Sequence, residues 1–258
     1  MKNHSLIAGI PNLLLLALLS TLAYPLSTSG QGTAFTYQGR LNVSAQPANG
    51  LYDLRFRLAT DAVINDSGAF DVVAPNAKQI PVEALPDDTL VFLLGSRYCE
   101  TDRMSQAAWD LFGKTPMGWA RVNAICDFVH EHITFGYQHA RPTKTAWEAF
   151  QEGQGVCRDF THLAVTLCRC MNIPARYCTG YLGDIGVPPD PEPMDFSGWF
   201  EVYLSGQWYT FDARHNAPRI GRILMGTGRD AADVALTTSF GRMDLVKFLV
   251  ISDEVVPA

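Results

Sequence analysis

"GQGVCRDFTHLAVTLC", residues 153–168, decides how the chain is read. Leu163, Val165, Thr166, Leu167 and Cys170 continue an apolar helix that Pro174 must stop. Gly153 and Gly155 flank the approach to Cys157, which falls where that helix begins. A free thiol ionises near about pH 8.5, and the unpaired N–H groups and dipole at a helix start favour the thiolate. The glycines let the chain turn tightly and let a substrate backbone come close. The stretch therefore predicts a helix opening on a nucleophilic cysteine, which then needs a proton acceptor from elsewhere in the chain.

Downstream, "ARYCTGYLG" reads as a strand. "GWFEVYLSGQWYTFDA" reads as two strands around a Ser/Gly turn, with Trp199, Glu201 and Tyr203 alternating against Phe200, Val202 and Leu204. Further strand is expected in "TTSFG" and "DLVKFLVISDEV" near the end. Upstream, "DRMSQAAWDLFG" and "GWARVNAICDFVHEHITF" have helical spacing, with Val122, Ile125, Cys126, Val129 and Ile133 on one face of the second. "TKTAWEAFQEG" is a short helix starting near Thr143 or Thr145 and ending at Gly153. Helices first and strands later give an α+β class, helices packed on an antiparallel sheet.

The chain of 258 residues divides into three parts. Residues 1–30 read as a signal segment: one lysine, then an uncharged apolar run from Asn12 to Tyr24, then small and polar residues. That expectation makes the protein exported or periplasmic, and cytoplasmic if the segment is no signal; an uncleaved anchor is the only membrane association foreseen. Residues 31–79 form a short β-rich segment. "AFTYQGRLNVSAQPANGLYDLRFRL" suggests a hairpin around its Pro/Asn/Gly cluster, and "INDSGAFDVVAPNAKQ" is an irregular connection. Residues 80–258 are the main domain.

Net charge is −6, with no block of lysine or arginine, so nucleic acid has no electrostatic footprint here. Six cysteines form an even set, but Cys168 and Cys170 lie two apart on a helix and cannot bridge each other. They read, with Cys126 and Cys178, as small buried thiols. His130 and His132 point to different faces and make no metal site. No metal and no cofactor is expected.

"GVCRDF", "IPARY", "WFEVYL" and "WYTFDARHN", in that order, resemble the bacterial transglutaminase-like superfamily, a papain-related α+β fold. The likeness runs from about Ile80 to the C-terminus. It implies acyl transfer on amide bonds through a cysteine thioester, of peptidase, amidase or transglutaminase type. Peptides or proteins, cell-envelope material among them, would be the substrates. It makes Cys157 the nucleophile and Asp212 the residue that orients the base. The family's histidine should stand just before the Trp-x-Glu of the first later strand, and Ser197 occupies that place, in "FSGWFE". A serine hydroxyl is no base near neutral pH. His215, three residues past Asp212, is one substitute. His162 is another, but it lies about 140° around the helix from Cys157 by helical geometry. The alternative is a non-catalytic transglutaminase-like binding domain in which Ser197 merely hydrogen-bonds. The family usually carries a larger β domain in front, so a fused or truncated gene would explain the unfamiliar residues after the signal segment.

Arg158 and Asp159 read as a first-turn pair completing the helix start. Trp199, Trp208 and Tyr209 read as core or groove aromatics. Arg214, Arg219 and Arg222, in "ARHNAPRIGR", are expected in a solvated loop.

Overall fold

A computed structural model describes residues 42–43, 46–47, 62–191, 194–236, 244 and 246–255. The chain divides into two units, Met1–Asp53 and Leu54–Ala258. In the first, β1 (Asn42–Val43) pairs antiparallel with β2 (Gln46–Pro47), Val43 opposite Gln46. Pro47, the first residue of the Pro/Asn/Gly cluster, lies in β2. The signal segment and the rest of the expected hairpin lie outside the described residues. Among the described residues no helix is long and apolar enough to cross a membrane.

The second unit carries helices α1 (Asp87–Leu90), α2 (Thr101–Phe112), α3 (Trp119–His132), α4 (Ala146–Glu152) and α5 (Cys157–Cys170). Two short strands, β3 (Thr134–Phe135) and β4 (Gln154–Gly155), pair in parallel before α5. Then come β5 (Ala175–Leu182), β6 (Ser197–Leu204), β7 (Gln207–Phe211) and β8 (Arg222–Gly228). These last four form one sheet in the order β7-β6-β5-β8, every neighbour antiparallel. The class is α+β, as the sequence pattern implies.

Helix α5 is the centre of the unit. Every residue from Phe160 to Cys170 is buried, because α2, α3 and α4 cover one side and β5 and β6 the other. A helix apolar on a single stripe does not need this, and most of its buried polar groups find partners, His162 Nδ1 excepted. The hydroxyls of Thr161 and Thr166 donate back to the carbonyls of Cys157 (2.9 Å) and His162 (2.7 Å). Arg169 donates to Ala175 O (3.0 and 2.8 Å) and Leu94 O (2.9 Å), tying the helix end to β5. The helix stops with Asn172 in the left-handed region (φ 60°), two residues before Pro174. From the sheet, Phe200, Val202 and Leu204 enter the core, as their alternation predicts.

Two expectations are corrected. The fourth strand is "RILMGTG", β8, and the described residues 246–255 carry no strand. The glycines of β8 weakened its alternation; a Cβ on Gly226 or Gly228 would crowd Val234 or Asp233, and Gly180 of β5 makes room for Ile223 O. Arg219 and Arg222 are not on a solvated loop. Arg219 is buried, with Nη2 donating to Gly183 O (3.0 Å), and the Arg222 side chain is 8% exposed. Residues 62–79, irregular as foreseen, form a strap fastened to the unit. Asp71 N donates to Arg219 O (3.0 Å), Trp119 N to Ala77 O (3.0 Å), and Lys78 N to Ser205 Oγ (2.7 Å).

Candidate active site

The chain approaches Cys157 through a run of local devices. Thr145 caps α4, its hydroxyl accepting from Glu148 N (3.3 Å) while Glu148 Oε2 accepts from Thr145 N (2.9 Å). Gly153 ends the helix in the left-handed region (φ 62°). The buried Lys144 ammonium donates to Gln154 O (2.9 Å) and pairs with Glu152 (2.9 Å), fixing β4. Asp159 then reaches back, Oδ2 accepting from Val156 N (3.0 Å), and its other oxygen faces Arg158 at 3.5 Å. The Arg158–Asp159 pair therefore completes the helix start, as expected. A Cβ on Gly155 would lie 2.7 Å from Asp159 Oδ2. That glycine makes room for the capping carboxylate rather than for a substrate, which corrects its expected role.

Cys157 is the first residue of α5, half-buried on the wall of a cleft that Tyr137, Asp195, Ser197, Arg214 and His215 also line. Its sulfur lies 3.8 Å from Phe196 O, to which the S–H donates. Burial is the largest influence on this thiol and pushes it above its ordinary range. The charge of Arg214 and hydrogen bonds from the backbone N–H groups of Gly198 and Arg158 oppose that. The helix start thus supplies donors to the sulfur, but the expected net lowering is reversed by burial.

Asp212 follows β7 and is buried. Its Oδ1 accepts from Arg214 N (3.0 Å) and His215 N (3.1 Å), a side-chain turn that folds the chain back on itself. Its Oδ2 receives His215 Nδ1 at 2.9 Å and faces Arg222 Nη1 at 3.1 Å. Burial alone would raise this carboxyl. The His215 hydrogen bond and the Arg222 charge outweigh it and hold Asp212 well below the usual carboxylate range. Asp212 is thus ionised, and the Nδ1 of His215 is committed to it. Nε2 is the ring nitrogen left to exchange a proton.

The four residues singled out by sequence fall as follows. Cys157, Ser197 and His215 line one cleft, and Asp212 stands behind His215. Ser197 opens β6 opposite Gly180 of β5, its carbonyl accepting from Thr179 Oγ1 (3.1 Å). His162 is fully buried between the rings of Tyr98 and Tyr177, Nε2 accepting from Ala231 N at 3.1 Å. Burial holds it well below its ordinary range, so it is a neutral core residue. His130 and His132 bond separately, to Arg214 O (2.8 Å) and Phe150 O (2.7 Å). All six cysteines are free, and all but Cys157 are buried. Arg214, Arg222 and Asp71 were not legible as site residues. The glycine-broken pattern of β8 hid Arg222, and 151 residues separate it from Asp71.

Residues 107–213 match the core of the transglutaminase-like superfamily. Over that stretch the chain is similar to a transglutaminase-like core. A protein from Cytophaga hutchinsonii, described as a candidate cysteine protease, shares 37% identity and a TM-score of 0.58, over 64% of this chain and 55% of that one. The periplasmic domain of TgpA from Pseudomonas aeruginosa shares 20% identity and a TM-score of 0.41, over 53% of this chain and 51% of that one. An uncharacterized protein of Mycobacterium leprae (strain TN) is 35% identical over 92 residues, 34% of this chain and 32% of its own length. The chain thus spans about a third of the curated relative and just over half of these solved chains. The matched transglutaminase-like core includes Cys157, Ser197 and Asp212; His215, Arg222 and Asp71 lie beyond its limits.

Proposed function

We propose that the protein transfers acyl groups from amide bonds through a thioester on Cys157, with His215 as the base and Asp212 as its orienting carboxylate. The observation that carries this reading is the shared cleft: a cysteine at a helix start and an imidazole whose Nδ1 is bound 2.9 Å from a buried carboxylate. The histidine that the family places on the first strand of the pair has here moved past the second, to the turn that Asp212 itself builds.

In the first half-reaction the Cys157 proton passes to His215 Nε2, and the sulfur bonds to the substrate carbonyl carbon while the π pair moves to oxygen. The pair returns, the C–N bond breaks, and the amine leaves with the proton from His215. Water or a second amine then attacks the thioester, His215 takes its proton, and the sulfur departs. Asp212 keeps the ring oriented and stabilises the imidazolium. Backbone N–H groups that already reach the sulfur favour its anionic form. Peptide or protein amides are the proposed substrates. Cell-envelope material is among them if the apolar run "NLLLLALLSTLAY" is an export signal.

The test uses p-nitrophenyl acetate as acyl donor and intact-mass measurement. One acetyl group on Cys157, discharged by water or by added amine, is expected, and the ratio of the two routes separates hydrolysis from transfer. No adduct above that of Cys157→Ala would instead favour a groove that binds without turnover.

A further inference from the structure

We infer that Asp71 and Arg222 are positioning residues for the proposed base, a ladder of side chains running Asp71–Arg222–Asp212–His215 from the strap into the cleft. The inference deepens the acyl-transfer reading and rests on it. Each rung is short. Arg222 Nε lies 3.0 and 2.9 Å from the two carboxylate oxygens of Asp71. Arg222 Nη1 faces Asp212 Oδ2 at 3.1 Å, and the same oxygen takes His215 Nδ1 at 2.9 Å. The side chains of Asp71, Arg222 and Asp212 are 14%, 8% and 1% exposed, so water screens the ladder little. The Arg222 guanidinium also lies over the Trp199 ring, 5.1 Å from its centre, which limits where it can move.

Asp71 is fixed in turn. Its N–H donates to Arg219 O (3.0 Å), and its Oδ2 accepts from Arg219 N (2.9 Å). The strap thereby pairs with the segment between His215 and β8 and sets the height at which Arg222 meets Asp212. Asp212 has one oxygen on the backbone of Arg214 and His215 and the other shared between the His215 ring and the Arg222 guanidinium. Arg222 decides where that shared oxygen rests, and so where the His215 ring points. Asp71 decides where Arg222 rests. The strap, 36 residues or more ahead of the matched core at its Asp71 end, therefore belongs to the working site.

The test measures the rate of Cys157 alkylation by iodoacetamide between pH 6 and 9, and the titration midpoint of the His215 ring by NMR. The variants are Asp71→Ala, Asp71→Glu, Arg222→Gln and the Asp71→Ala/Arg222→Gln pair. Residues acting in series give non-additive losses. Alkylation at pH 7 is expected to fall about tenfold in each alanine or glutamine variant, and no further in the pair. Asp71→Glu recovers most of the rate. In Arg222→Gln the His215 midpoint moves up by about half a unit or more, because a cation facing the shared oxygen is gone. A folded Asp71→Ala or Arg222→Gln protein with wild-type rate and midpoint overturns the ladder, whatever its melting temperature. Should these variants not fold, Arg222→Lys, which keeps the charge and loses the fork, is read in the same way. If the wild-type thiol is no faster than a free cysteine, acyl transfer fails, and the His215 midpoint alone decides the ladder.

Discussion

At the scale of the residue, the proton on Cys157 is contested. Burial favours the thiol, while Arg214 and two backbone N–H groups favour the thiolate. Arg214 is the charged side chain in this balance that acts for the anion, and it is braced over the Phe135 ring, 3.9 Å from its centre. Replacing it with alanine should leave the thiol still harder to ionise, slowing alkylation at pH 7 about threefold to tenfold. The difference should shrink in 0.5 M salt, because the cleft is open to solvent. A second-order rate constant for iodoacetamide that is unchanged in Arg214→Ala would contradict this balance. The cysteine itself was legible because glycines, a helix start and the family motif converge on it. The sign of its shift was not. Helix position is local, whereas burial depends on β6 and the turn after β7, which fold onto it from forty or more residues away.

The elements were read well where their signals are local. The ends of α4 at Thr145 and Gly153 and the end of α5 before Pro174 follow from side chains within a turn of each boundary. The β6–β7 hairpin follows from its alternation and from Ser205 and Gly206, both at positive φ. β8 was missed because its glycines make room for Asp233 and Val234 in the turn that follows and carry no alternation. The same packing logic assigns Gly155 to the helix start rather than to substrate access. A methyl group there would displace Asp159, whose carboxylate holds the Val156 N–H. Gly155→Ala should cost about 2 kcal/mol, lowering the melting temperature by roughly 5 °C, and should slow Cys157 alkylation as α5 begins out of register. Calorimetry that finds the variant as stable as wild type would show that Asp159 has another place to sit.

Across the whole molecule, the cysteine that opens the central helix lines one cleft with a histidine bound to an aspartate after β7, in outline what the likeness to transglutaminase-like cores implies. What differs is the route by which the histidine arrives. Ser197 stands at the strand position, and the imidazole comes from the turn beyond β7, where it is tied to Asp212 and, through Arg222, to the strap. Motif order carried the fold and picked out Cys157 and Asp212 as candidates. It could not place His215 at the cleft, because the loop that returns it is shaped by hydrogen bonds to Asp212 and by a β8 that motif reading passed over. The central claim is that His215, not Ser197, takes the proton. It is tested most directly by the pH dependence of Cys157 alkylation in wild type, Ser197→Ala and His215→Gln. The account predicts that the wild-type rate climbs with pH, as a thiol raised by burial requires, and that Ser197→Ala stays within about threefold of it at pH 7. His215→Gln should be about a hundredfold slower at pH 7 and approach the wild type at high pH, where the thiol ionises without a base. A His215→Gln profile that overlays the wild type would contradict it.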